Sequence, residues 1–185
     1  MHTPVPQARM LATKERVVPS GRERSFGEDQ IIVSKTDLQG RITYANDVFI
    51  AVSGYEEAEL IGAPHSLIRH PDMPRAVFKF LWDTLAQGRE IFAYVNNMAR
   101  NGDNYWVLAH VTPSRDRSGR ITGYHSNRRV PERRCVNAIA GIYSALRNTE
   151  RAHTDRQAGL VASHALLVET LAGTGKSYEE WIWSL

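Results

Sequence analysis

A single cysteine in 185 residues, Cys135, excludes an intramolecular disulfide and fits a reducing compartment. No apolar run approaches the roughly 20 residues a bilayer span needs. The first 25 residues lack the apolar segment of a secretory signal, so a cytoplasmic location is expected. No Ser/His/Asp, Cys/His or paired-carboxylate arrangement stands out, so the chain is expected not to be an enzyme. Gly173–Ser177 looks like the end of a phosphate-binding loop, but Thr170 stands where a glycine is required and the segment follows a helical pattern. It reads as a helix end and turn. Excess charge is also missing from the body of the chain. Residues 1–25 carry five basic and two acidic side chains, the whole net charge of +3, while the remaining 160 hold 18 of each sign. Nucleic acid is therefore not an expected partner, because the body has no net attraction for a phosphate backbone.

What the chain does have is the composition of a soluble domain, 42% hydrophobic and 23% charged. Its length suits one core-forming domain with flanking pieces. Residues 1–25, with Pro4, Pro6, Pro19 and Gly21 and no sustained period, read as a flexible basic arm with a short helix around Ala8–Arg16. Residues 26–131 read as the core domain and 132–185 as a helical extension.

Within the core, Ile31–Ser34 and Arg41–Tyr44 flank the turn Asp37–Gly40 and read as an antiparallel strand pair. Asn46 is placed as a helix cap, Val48, Phe49 and Val52 as a short buried face, and Gly54 as its stop. Val77, Phe78, Leu81, Trp82 and Leu85 form one stripe of a helix over Pro74–Ala86. Three strands follow, Ile91–Ala99, Asn104–Pro113 and Ile121–Val130, the first two joined by Asn101-Gly102-Asp103. Period-2 alternation puts Ile91, Ala93, Val95 and Asn97 on one face, and Tyr105 and Trp106 on opposite faces. From Pro131 the period is helical, and a second helix at about Thr154–Ala172 is apolar enough to require burial. This order predicts an α+β fold with a five-stranded antiparallel sheet, helices on one face, and a pocket between sheet and helices.

Between the short helices and the long one lies Pro64-His65-Ser66-Leu67-Ile68-Arg69-His70-Pro71-Asp72-Met73-Pro74. Three prolines forbid a continuous helix or a central strand, so this is a shaped loop carrying Arg, His and Asp. Arg69 presents a planar fork suited to phosphate, or else pairs with Asp72 to pin the loop. Asp72 is equally placed to cap the following helix. Trp82 and Phe78 read as core more readily than as a ligand wall. His65 and His70 lack the partners for structural zinc.

Several stretches together resemble a PAS domain, of the kind found in bacterial aerotaxis receptors, here in stand-alone form. They are Thr36–Gly40, Ile42–Phe49, Ser53-Gly54-Tyr55, Leu60–His65, Arg69–Pro74 and Asn101–Val107, spread over about residues 30–130. The resemblance implies a sensor that binds FAD non-covalently and signals its redox state. The flavin contacts it implies are Asn46, Arg69, His70, Asp72, Phe78, Asn97 and Trp106. It also marks Ile91, which stands where such receptors usually carry a tryptophan facing the flavin. It implies a signalling partner protein, a chemoreceptor, kinase or similar, and a homodimer. No methyl-accepting coiled coil, kinase core or helix-turn-helix accompanies it. Two other readings stay open: a cofactor-free or small-ligand interaction module, and a haem gas sensor using His70 or His110 as axial ligand.

Overall fold

The computed structural model of the chain describes residues 17–185. The expected helix around Ala8–Arg16 lies outside the described residues. Strands β1 (Ile32–Thr36) and β2 (Ile42–Ala45) form the first hairpin. Helix α1 (Asp47–Ser53), the single turn α2 (Glu57–Leu60) and a 3-10 turn (His65–Ile68) lead to helix α3 (Arg75–Ala86). Strands β3 (Ile91–Met98), β4 (Asn104–Arg115) and β5 (Ile121–Arg129) complete an antiparallel sheet of order β2-β1-β5-β4-β3. Helices α4 (Arg133–Arg151), α5 (Arg156–Gly173) and α6 (Tyr178–Ile182) follow.

The register fixes the inner face of the sheet. Asn97 pairs with Tyr105, Val95 with Val107, Ala93 with Ala109 and Ile91 with Val111. Ala109 in turn pairs with Arg128 and Val111 with Ser126, while Ile32 and Ser34 of β1 meet the same two β5 residues. Side chains in register share a face, so polar Ser34, Ser126, Arg128 and Asn97 sit among apolar residues on the inner side. Helices α1–α3 cover that side, with Phe49, Leu60 and Ile68 fully buried beneath them.

The extension folds back on the same chain, and the reason lies in β3. An edge strand leaves alternate backbone groups unpaired, which other chains can capture. Here Tyr178 donates its hydroxyl to Phe92 O at 2.6 Å, Tyr143 donates to Tyr94 O at 2.7 Å, and His70 N donates to Asn96 O at 3.3 Å. Two tyrosines of the extension and the proline-rich loop thus block the free edge. Trp106, on the outer face as alternation required, stacks on Tyr143 of α4.

Two expectations are corrected. Residues 17–25 are not a mobile arm: Ser20 N bonds Gly102 O, Arg24 N bonds Asn104 O, and Asn104 N bonds Arg22 O. Gly102 is required beneath this segment, because it has φ +88° and a Cβ there would lie 2.2 Å from Val18 O. The apolar helix α5 is only half covered. Gly159, Ser163, Leu167 and Leu171 are buried, while Val161 and Val168 are exposed.

Candidate functional site

The pocket expected between sheet and helices is present as a cavity of about 270 Å³. Its walls are inner-face residues of β1, β3, β4 and β5, the proline-rich loop, and Phe78, Leu81 and Trp82 of α3. The amphipathic stripe of α3 therefore serves two surfaces. Leu85 and Leu81 pack on Ile91, and Phe78 and Trp82 turn toward the cavity.

The polar lining is unusual in what it lacks. Thr36 Oγ1, Arg69 Nε, Asn97 Nδ2, Ser126 Oγ and Arg128 Nη1 all line this space and are buried without a hydrogen-bond partner. Buried polar groups are paired in the great majority of cases, so five orphans around one cavity call for a common partner. Two of them are cations. Arg128 is 3% exposed, and burial lowers its pKa to about 10. Its Nη2 donates to Ser34 Oγ at 2.7 Å and to His65 Nε2 at 2.5 Å, and its guanidinium lies 5.3 Å from the Phe49 ring centre. The Arg69 guanidinium carbon lies over the Phe78 ring, 3.6 Å from its centre, and burial lowers its pKa too. No described carboxylate pairs with either arginine, and none lines the cavity. An uncompensated buried cation costs several kcal/mol, roughly, so the cavity is built for an acceptor-rich or anionic group.

His65 belongs to the same cluster. An arginine can only donate, so Nε2 of His65 accepts and the proton sits on Nδ1. Burial first, then Arg128 and Arg69, hold its pKa well below the usual 6.5. His70 shifts the same way, through burial first, with Asp72 opposing and Arg147 adding. In the unfolded chain these histidines take up protons near pH 6.5, whereas folded His65 stays neutral much lower. The unfolded state then binds more protons, so stability is lost as the pH falls from about 6.5 toward the folded values, by at most about 1.4 kcal/mol per pH unit for each proton. The urea midpoint of His65→Gln, which can still accept from Arg128, should therefore fall less between pH 7 and pH 5 than that of the unaltered chain. Parallel pH profiles would contradict this.

Of the residues the resemblance marked, the structure gathers Arg69, Phe78 and Asn97 at the cavity. Arg69 and Asn97 also meet through a backbone bridge. The others lie elsewhere. The Asn46 side chain is spent as a structural clamp: Oδ1 accepts from Val33 N and Phe49 N, and Nδ2 donates to Ile31 O. Ile91 is core, 3% exposed, and not a cavity wall. Trp106 stands on the opposite face of the sheet. His70 faces a second groove, its Nδ1 accepting from Asp72 N at 3.1 Å. Asp72 neither pairs with Arg69 nor caps α3. It lies 3.4 Å from both Arg147 and Arg151, and α3 is capped instead by Glu150, whose Oε1 accepts from Ala76 N at 3.1 Å. His110, the other haem candidate, is on the outer face, stacked on Phe92 and 2.8 Å from Glu90. Trp82 and Phe78, read as core, line the cavity. No group of three or more His, Cys, Asp or Glu among the described residues is placed to hold a metal ion.

Sequence reasoning missed Arg128, Ser126, Ser34, Thr36 and His65. Alternation along β5 already set Tyr124, Ser126 and Arg128 on one face, but such a face looks like a solvent face until the pairing order is known.

A family model described as "PAS fold" matches residues 42–128. The aerotaxis receptor of Escherichia coli K12 is 44% identical over 131 residues, 69% of this chain and 26% of the receptor. The nitrogen fixation regulatory protein of Klebsiella pneumoniae is 32% identical over 94 residues, 51% of this chain and 19% of that protein. The chain thus spans about a quarter or less of these relatives. A light-oxygen-voltage domain studied with a flavin analogue superposes with TM-score 0.53 at 18% identity, over 66% of this chain and 87% of that one. The light-state LOV domain of the photoreceptor Aureochrome1 gives 0.51 at 22% identity, over 66% and 93%. At such identities these two show a shared fold.

Proposed function

We propose that this chain, which belongs to the PAS fold family, holds FAD non-covalently in the sheet–helix cavity and signals its redox state to a partner protein. The observation that carries this is the ring of five buried, unpartnered polar atoms, two of them on uncompensated arginines, around a cavity without a carboxylate. The donor set fits a flavin ring edge, which is rich in carbonyl and nitrogen acceptors. The aromatic walls Phe78 and Trp82 fit its flat faces. Similarity to the aerotaxis receptor, and the fold shared with a domain studied with a flavin analogue, support the same reading.

Bound flavin would supply a redox couple whose reduction adds electron density, and with it negative charge or protons, to the ring. The chain's own residues can register such a change. Arg69 and Arg128 meet added negative charge, and Asn97 donates or withholds a hydrogen bond at β3. Asn97 lies on the strand whose free edge holds Tyr143 and Tyr178. Arg69 lies in the loop that runs into α3, and Glu150 joins α3 to α4. A rearranged hydrogen bond at the cavity therefore bears directly on how α4–α6 pack. These helices, or a dimer they form, are the proposed output surface toward a chemoreceptor, kinase or similar protein. No helix among the described residues is long and apolar enough to cross a membrane, and we place the chain in the cytoplasm.

The absorption spectrum of freshly purified protein tests the reading. Bands near ~370 and ~450 nm are expected, against a strong Soret band for haem. They should be lost on size exclusion of Arg69→Ala, while its circular dichroism is unchanged. A colourless protein that takes up no added FAD would leave the interaction-module reading instead.

A further inference from the structure

A cavity of about 270 Å³ accommodates a fused ring system, but not the ribityl, phosphate and adenosine parts of a dinucleotide. Those parts need a second seat that opens from the first. A wider groove of about 1410 Å³ lies beside the cavity and shares Ser66 and Arg69 with it. Its walls are the segment Val17–Pro19, Tyr55 with α2, the proline-rich loop, the start of α3, the end of β3, and the end of α4 with the start of α5. Six arginines line it: Arg69, Arg75, Arg100, Arg147, Arg151 and Arg156.

Their present partners do not balance them. Glu150 takes Arg75 at 3.0 Å and Glu59 takes Arg100 at 2.7 Å. Arg147 and Arg151 share the single carboxylate of Asp72, each at 3.4 Å. Arg147 Nε is buried without a partner. No described carboxylate lies within 4.0 Å of Arg69 or Arg156. Residues 1–16 hold Arg9, Lys14 and Arg16 against the single Glu15, a net positive charge.

We propose that this groove is the seat of the diphosphate of the dinucleotide, with Arg147 and Arg151 of α4 as its principal contacts and Arg69 as the hinge between ring and diphosphate. The assignment rests on the flavin reading above. It makes α4 part of the binding site, so the helical extension clamps on the ligand as well as carrying the output. It also reverses the role the resemblance gave Asp72, whose carboxylate occupies the two arginines and competes with the diphosphate.

The test compares FAD with riboflavin, which lacks phosphate, by quenching of flavin fluorescence on the full chain. The unaltered protein should bind FAD at least about tenfold tighter than riboflavin, with the difference shrinking as salt is raised. Arg147→Gln combined with Arg151→Gln should weaken FAD at least about tenfold and leave riboflavin within twofold, which also shows that the variant is folded. Asp72→Asn should tighten FAD about two- to fivefold. Riboflavin bound as tightly as FAD, or equal losses for both in the double variant, overturns this assignment alone. A chain that takes up neither flavin overturns the flavin reading and this one with it.

Discussion

Arg128→Met should stabilise the flavin-free protein and cripple flavin binding, two effects of opposite sign from one substitution. Arg128 is buried, carries its charge at neutral pH, and has no described carboxylate partner. Replacing a buried charge by an apolar chain of similar length is neutral to stabilising, and with no counter-ion lost a gain of about 2 kcal/mol is expected. For a chain of this size that raises the melting temperature by roughly 4–8 °C. The polar groups left behind are not stranded, because Ser34 Oγ and His65 Nε2 already lie 3.2 Å apart and can bond each other. FAD and riboflavin affinity should both fall, on the order of 10- to 100-fold, since a charged donor to the ring is lost. Calorimetry of the flavin-free variant and fluorescence titration check the two halves. A destabilised variant would mean that Arg128 serves the fold and not a ligand.

Glu150→Ala should be the most damaging single change in the extension. The carboxylate is 3% exposed at its side chain, pairs with Arg75 Nε at 3.0 Å and accepts from Ala76 N at 3.1 Å. It supplies the cap that Pro74, at the N-cap of α3, cannot. Its loss leaves one buried N–H uncapped and removes the carboxylate partner of the half-buried Arg75, which keeps only its bond to Arg156 O. A cost of about 3 kcal/mol is expected, or roughly 6–12 °C in melting temperature. The same turn of α4 is held from the other side by α5, where Gly159 approaches so closely that a Cβ would lie 2.8 Å from the Glu150 carbonyl oxygen. Thermal denaturation of Glu150→Ala beside Glu150→Gln separates charge from packing, since Gln keeps the shape and one acceptor. An unchanged melting temperature in both would show that α4 does not hold α3.

The sheet was legible because its signals are local. Alternation placed Ile91, Ala93, Val95 and Asn97 on one face, and Asn46 and Gly54 bracketed α1 as their chemistry requires. The family resemblance rested on short motifs in the same region. The site was legible only where its residues lie in those motifs, as Arg69 and Asn97 do. Arg128 escaped notice because a polar residue on a strand marks an inner face only when its neighbours are known, and β5 gains β1 and β4 as neighbours by long-range pairing. Asp72 looked like the cap of α3 because a carboxylate just ahead of a helix with proline in its first turn is a common N-cap, but the helix starts one residue later and Pro74 holds the cap position. The actual cap comes from 74 residues away, a distance no local pattern reports. Ile91 looked decisive for the ligand on resemblance alone. In the folded chain Leu81 and Leu85 close over it, and the indole of Trp82 supplies an aromatic wall from the helix side instead.

If a flavin partners the orphaned donors of the cavity, the protons those donors carry can be watched as it binds. Titrating FAD into ¹⁵N-labelled flavin-free protein and following the Arg69 Nε–H and Asn97 side-chain amide signals tests this directly. Both signals should move together and saturate at one FAD per chain, while the Asn46 amide, committed to Ile31 O, stays in place. Binding that leaves the Arg69 and Asn97 signals unmoved, or no binding at all, would contradict it.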